Sequence, residues 1–355
     1  MCRSHPIFCI LPPHLLLSVC SHGSPQQRTW ALRTMAADST FRALRATLAP
    51  SSAAAAARRR GMVEEGQKQR TIYTAQNEET LPGAALRIEG GPPTGDAAVD
   101  EAYDGLGDTF DLYWDIYERN SIDDEGLPLD ATVHYGTDYN NAFWNGQRMV
   151  FGDGDGDLFN RFTLSTDVIG HELTHGVVED EAQLVYFFQP GALNESNADV
   201  FGALVKQKLL NQTAEEADWL IGAGLFTNNV RGAALRSMKA PGTAYDDPVL
   251  GKDPQPAHMR DYVRTYQDNG GVHINSGIPN HAFYLTAMAI GGYAWEKAGR
   301  IWYETLRDSR LRPNTGFKRF AGLTVDNAGK LYGSGSAEQQ AVRHGWAEVG
   351  IKVTR

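Results

Sequence analysis

From residue 21 to its end the chain contains no cysteine; its three cysteines are Cys2, Cys9 and Cys20. For the body of the protein this absence excludes a disulfide scaffold, a cysteine nucleophile and a cysteine-ligated metal site. A cysteine-free body also tolerates oxidising surroundings. No window approaches the roughly 18–20 uninterrupted apolar residues of a membrane span. Basic charge is scarce beyond residue 60, where 25 Lys and Arg face 42 Asp and Glu. An acidic body argues against a nucleic-acid reader. Residues 1–60 have the opposite balance, eight arginines against one acid, Asp38. Such a leader suits docking on the acidic body or on an acidic partner. The rest is ordinary globular material. Its 355 residues, 42% hydrophobic and 21% charged, suffice for two packed lobes.

The apolar run at 7–19 is interrupted by Pro12, Pro13 and His14 and preceded only by Arg3. It does not follow the layout of a cleaved secretion signal. The expectation is therefore a cytoplasmic protein, or one exported without an ordinary signal peptide. Residues 25–48 carry Trp30, Leu32, Met35, Phe41, Leu44 and Leu48 at helical spacing. Ser51-Ser52, five alanines and Arg58-Arg59-Arg60 form a low-complexity linker open to proteolysis. Strand and turn signals dominate from Arg70 to Gly156, at 71–73, 131–135 and 148–151, with one helical patch at 98–117. Later signals are helical, near 163–179, 193–210, 278–308 and 336–348. The order predicts an α+β protein with a β-rich front lobe and a helical rear lobe. The expected division is a pro-segment and linker at 1–60, a β-rich lobe at 61–179 and a helical lobe at 180–355.

His171-Glu172-Leu173-Thr174-His175 places two imidazoles one helical turn apart, able to meet one ion. Glu172 can face the open coordination position and take a proton from water. Val168-Ile169 and Val177-Val178 flank the motif, as in a buried helix whose polar groups must be satisfied. A catalytic zinc site has three protein ligands and a water. Glu195 and Asp199 lie four apart in the next apolar-periodic helix. Glu195 would complete the ligand set, and Asp199 would accept the spare ring N–H of a ligand histidine. Tyr186 and His273 are candidate oxyanion donors, and Asp268 would orient His273. Gly270-Gly271 would let the backbone turn tightly there.

Together these segments resemble the thermolysin family of zinc metallopeptidases. The resemblance is carried by Asn140–Gly146, the 171–175 motif, residues 191–202, residues 268–277 and Arg236, and spans about residues 70–355. It implies a two-lobed fold with the 171–175 helix at the base of the cleft. Zinc would be held by His171, His175 and Glu195, with Glu172 as base and Tyr186 and His273 steadying the tetrahedral intermediate. Asn141 and the Ala142 backbone would hold the peptide, and Arg236 would bind a substrate carbonyl. Phe159, Phe162, Val168, Ile221 and Leu235 would line the pocket after the scissile bond, implying a neutral endopeptidase that cuts before bulky hydrophobic residues. The leader, with Pro12-Pro13-His14-Leu15-Leu16, resembles the short pro-segment of protealysin-type members, so the expected partners are peptide or protein substrates and the protein's own pro-segment in cis.

Two departures bear on metals. Where the family's paired-calcium site would want further carboxylates stand Lys206, Leu220 and Ala223, with Asp167 and Asp218 remaining. Calcium needs six to eight oxygens, so the site is expected to be absent and Lys206 to pair with the remaining acids. The run 152–157 is no EF-hand either, because positions 158 and 164 are leucine where glycine and glutamate are needed; it reads as a turn. For the leader cysteines, Cys2 or Cys9 could ligate the zinc as a thiolate lock. The alternative function is a zinc-containing, non-hydrolytic peptide-binding protein, disfavoured by the presence of both Glu172 and His273.

Overall fold

In the computed structural model, which describes residues 8–48 and 65–353, a proline opens the first helix. After strand β1 (Phe8–Cys9), helix α1 (Pro13–His22) starts at Pro13, where a missing N–H costs nothing because that group has no partner inside the helix. The prolines that interrupt the apolar run thus initiate a docked helix, with Leu15, Leu16 and Val19 buried at helical spacing. Helix α2 (Pro25–Leu48) follows, matching the expected 25–48 stretch. The linker at 51–60 lies outside the described residues.

The front of the body contributes β2 (Arg70–Thr74), β3 (Ala84–Ile88), helix α3 (Ala97–Tyr117), β4 (Leu129–Val133), β5 (Ala142–Trp144) and β6 (Arg148–Phe151). Asp96 caps α3 by accepting the Ala98 and Val99 N–H groups. Val99, Ala102, Tyr103, Leu106, Phe110, Tyr113 and Tyr117 form its buried stripe. The six-stranded sheet runs β1-β5-β6-β4-β2-β3, with the leader strand on one edge. β1 pairs antiparallel with β5, Cys9 opposite Phe143.

The rear is mainly helical: α4 (Thr166–Glu181), α5 (Phe188–Leu210), then after the short pair β7 (Leu220–Ile221) and β8 (Arg236–Ser237), α6 (Asp268–Asn275), α7 (Gly277–Ile290), α8 (Ala298–Leu306), α9 (Phe317–Tyr332) and α10 (Ala337–Glu348). The helical stretch expected over 278–308 is two helices, broken where Gly291 and Gly292 take φ of 72° and 67°, a region that side chains disfavour. Helix α9 was not foreseen; Gly322 and Gly329 weaken its local helical signal, and burial of Phe317, Phe320 and Val325 secures it.

The approach of α4 to α5 positions the site. A Cβ added to Gly202 would lie 2.4 Å from the Asp167 carbonyl oxygen and 3.0 Å from the His171 backbone nitrogen. The helices therefore touch without an intervening side chain. Both are buried on nearly every face at this contact, residues 167–178 of one and 191–205 of the other, as expected of helices inside a core.

Candidate active site

His171 and His175 project from α4 with their Nε2 atoms 3.1 Å apart. Glu195, from α5, brings Oε2 to 3.5 Å from His171 Nε2 and Oε1 to 3.6 Å from His175 Nε2. Ligand atoms about 2.0–2.1 Å from one tetrahedral centre lie about 3.3–3.4 Å apart, so these spacings suit a single zinc. The tautomers point the same way. His171 Nδ1 donates to Asp199 Oδ1 at 2.8 Å, and His175 Nδ1 donates to Asn194 Oδ1 at 2.7 Å. In the neutral imidazoles both Nε2 atoms therefore carry lone pairs aimed into one space. Burial, and then neighbouring His171, hold His175 well below its ordinary pKa and so neutral. Glu195 Oε2 is buried there without a hydrogen-bond donor. Two lone pairs and a carboxylate facing one another are a donor set for a divalent cation.

Asp199 is itself fixed. Arg236 donates to it through Nε at 2.9 Å and Nη2 at 2.7 Å, and Asn280 through Nδ2 at 2.8 Å. Burial would raise its pKa, but Arg236 and His171 outweigh burial and hold it well below the usual carboxylate range. Asn194 and Asn280 were missed by sequence reasoning. Asn194 precedes Glu195 in an otherwise apolar-periodic helix, and a buried amide there was the available signal.

Glu172 accepts the Trp144 backbone N–H at 3.1 Å. Burial, then Glu195, push its pKa well above the usual range. Opposite stands His273, delivered by α6, whose first turn is not helical: Asn269, Gly270 and Gly271 have φ of 50°, 86° and 75°. This left-handed run is what the two glycines permit. Asp268 accepts from His273 Nδ1 at 2.6 Å and from its backbone N–H at 2.9 Å. Burial opposes charge on His273, but Asp268 and Glu195 prevail and raise its pKa to about 9. The Tyr186 hydroxyl donates to Glu195 Oε1 and lies 3.2 Å from His273 Nε2.

The leader runs through this site. Ile10 N–H donates to the Ala142 carbonyl at 3.2 Å, and Leu11 N–H to Asn141 Oδ1 at 3.1 Å. Arg236 Nη1 donates to the Ile10 carbonyl at 3.1 Å, and His273 Nε2 lies 3.1 Å from the Cys9 carbonyl oxygen. Asp38 of α2 braces the strand side, accepting from Tyr139 Oη at 2.5 Å and Asn141 Nδ2 at 3.0 Å. Ile10 and Leu11 join the core that contains Phe159, Phe162, Val168, Ile221 and Leu235, all buried. Charge complementarity was the expected glue, but six of the eight leader arginines have side chains outside the described residues; the described leader contacts are chiefly apolar and neutral, with Arg33 4.0 Å from Asp138. Apolar burial is the stronger term, since exposed ion pairs contribute little.

The thiolate lock gains nothing from Cys9. Among the described residues, the ligand atoms that converge belong to His171, His175 and Glu195. The Cys9 side chain is buried with Tyr135, Tyr139 and Phe143 instead. Cys2 lies outside the described residues. Near the start of α4, Lys206 Nζ sits 2.8 Å from Asp167 Oδ2 and 2.9 Å from Asp218 Oδ1, and donates to the Leu220 carbonyl. In the 152–157 turn, Asp155 Oδ1 accepts the N–H groups of 157, 158 and 159.

Residues 28–179 match the family model of the thermolysin metallopeptidase catalytic domain, and residues 182–351 match that of the alpha-helical domain. The chain belongs to the thermolysin family. Relatives within it include an extracellular metalloprotease of Pectobacterium carotovorum subsp. carotovorum, 53% identical over 99% of this chain and 98% of that protein. Protease PrtS of Photorhabdus sp. (strain Az29) is 57% identical over 80% of this chain and 76% of its own. Among solved structures, the precursor of protealysin, a metalloproteinase from Serratia proteamaculans, matches with a TM-score of 0.88 and 53% identity. That match covers 97% of this chain and 99% of the other. This thermolysin-family member is a zinc endopeptidase made with a pro-segment, built on the α+β thermolysin-like fold. The non-hydrolytic alternative is not favoured. Among the described residues no helix is long and apolar enough to cross a membrane.

Proposed function

We propose that the enzyme cuts peptide bonds before bulky hydrophobic residues, with one zinc held by His171, His175 and Glu195. The carrying observation is the convergence of their three buried ligand atoms within 4.8 Å of one another. When bound, zinc supplies Lewis acidity, polarising the substrate carbonyl and bringing the pKa of water to about 7. Glu172 takes a proton from the attacking water and hands it to the leaving amine. His273, kept charged and oriented by Asp268, and Tyr186 donate hydrogen bonds to the oxygen on which negative charge develops. Asn141, the Ala142 carbonyl and Arg236 grip the peptide backbone. Asp199 and Asn194 set the tautomers of the two histidines.

Phe159, Phe162, Val168, Ile221 and Leu235 make the pocket after the scissile bond, where a charged side chain would lose its hydration unpaired. The leader, 1–60, keeps the two lobes, 61–179 and 180–355, latent by filling the cleft until the chain is cut between residues 48 and 66. Lys206 replaces the paired calcium. Mature enzyme should digest casein and stop when chelated. Glu172→Gln should keep its zinc and lose about 10²–10⁴ in turnover; ordinary turnover would remove Glu172 from this role. A peptide-library profile should show Leu, Ile, Val or Phe after the cut, and a charged preference there would contradict the pocket assignment.

A further inference from the structure

The leader does more than cover the site, because its backbone meets each group there in a definite order. The Cys9 carbonyl oxygen is at His273 Nε2, 3.1 Å away, beside Glu195. One peptide bond later, the Ile10 N–H is held by the Ala142 carbonyl at 3.2 Å and lies against the Glu172 carboxylate. The next carbonyl, that of Ile10, belongs to Arg236, and the next N–H, that of Leu11, belongs to Asn141. A peptide bond awaiting hydrolysis needs its oxygen beside the oxyanion donors and its nitrogen beside the proton-delivering carboxylate. Cys9–Ile10 is the bond so held. The residue following it, Ile10, is apolar and fully buried.

We infer that the leader is seated as a substrate and that the zinc-loaded precursor hydrolyses its own Cys9–Ile10 bond in cis. This rests on the roles proposed above for Glu172 and His273. Water adds to the Cys9 carbonyl carbon, its proton passing to Glu172. The Cys9–Ile10 C–N bond then breaks, and the Glu172 proton goes to the Ile10 nitrogen. The products are a Cys9 carboxylate and an Ile10 amine, with water the only co-reactant. On the amino side the cut leaves fragment 1–9, whose Cys9 pairs in β1 and packs with Tyr135, Tyr139 and Phe143, no longer joined to the helices that follow. On the carboxyl side Ile10, Leu11, Leu15, Leu16 and Val19 remain buried, so the clipped precursor stays latent until the linker is cut.

Precursor prepared metal-free is given zinc, quenched at intervals, and read by intact mass and N-terminal sequencing. The expected first product begins Ile-Leu-Pro-Pro-His, appears at a rate independent of precursor concentration, and is absent from Glu172→Gln. A first new terminus inside the linker with Cys9–Ile10 intact would overturn the inference, as would a concentration-dependent rate. A synthetic peptide of residues 4–15, offered to mature enzyme, removes any dependence on precursor folding: cleavage between Cys9 and Ile10 is expected, and an uncut peptide or a cut elsewhere counts against it. Mature enzyme that digests casein beside an unclipped precursor would sink this inference alone. Mature zinc-loaded enzyme inert toward casein would sink the proposed function as well.

Discussion

Asp167 and Glu195 are both buried carboxylates on the α4–α5 pair, yet they meet different company. Asp167 is answered from within the chain: Lys206 Nζ at 2.8 Å, the Ser165 hydroxyl at 2.7 Å and the Gly222 N–H at 3.1 Å. Burial opposes the Lys206 charge, but Asp167 and Asp218 raise its pKa above the ordinary value. Glu195 faces two imidazole lone pairs, with Oε2 lacking a donor. The same problem, negative charge out of water, is solved once by an ammonium on a tether and once by a place for a cation from solution. A tethered cation gives permanence; a dissociable one gives an electrophile that can also bind substrate.

Metal removal breaks this comparison most directly. Chelation should abolish hydrolysis and, where zinc stood a thousand-fold above its Kd, lower stability by about 4 kcal/mol. Calorimetry with and without chelator reads the second effect, and an unchanged melting curve would argue against a zinc that is structurally coupled. Lys206→Met tests the other half. It strands Asp167 and should cost about 3–5 kcal/mol, with zinc content and turnover per folded molecule preserved. A variant as stable as the parent would show that Asp167 does not depend on that ammonium.

His273→Ala should leave zinc content and melting temperature near those of the parent while reducing turnover by about 10²–10³. Loss of zinc in this variant would make His273 a support for the ligands rather than an oxyanion donor. The smallest effect contrasts two histidines. His175 is kept neutral by burial, whereas His134, at 2.8 Å from Asp153 and 3.0 Å from Asp96, is raised to about 9. Because its folded pKa lies above the unfolded value of about 6.5, its stabilisation is complete below pH 6.5 and is lost as pH rises through about 9. Partial exposure of all three groups reduces the effect to about 1 kcal/mol. The stability gap between the parent and His134→Gln, followed by denaturant titration, should therefore close between those pH values; a gap that widens would reverse the assignment.

The leader shows where reading the chain succeeds and where it stops. Its helix at 25–48 follows from local spacing; its low-complexity linker lies outside the described residues. Its mode of attachment is only partly legible: a charge excess of eight arginines over one acid suggested electrostatic docking, and six of those arginine side chains lie outside the described residues. The described seat buries Ile10, Leu11, Leu15, Leu16 and Val19, and the leader's lone acid, Asp38, is clasped by Tyr139 and Asn141. Net charge describes long-range attraction, whereas the seat is decided by apolar area and hydrogen-bond partners at contact.

The candidate metal-binding residues and their neighbours were legible in the sequence: His171 and His175 four apart, Glu195 and Asp199 four apart, Glu172 beside the first histidine. Helix geometry repeats every 3.6 residues whatever surrounds it, so such spacing is legible without a structure. Packing in three dimensions was needed to show which histidine Asp199 serves, that Asn194 serves the other, and which leader bond lies between Glu172 and His273. Those outcomes depend on how closely α4 and α5 pack at Gly202 and on where β1 pairs along β5. Contacts between residues far apart in the chain are set by shape and burial, which no local periodicity encodes.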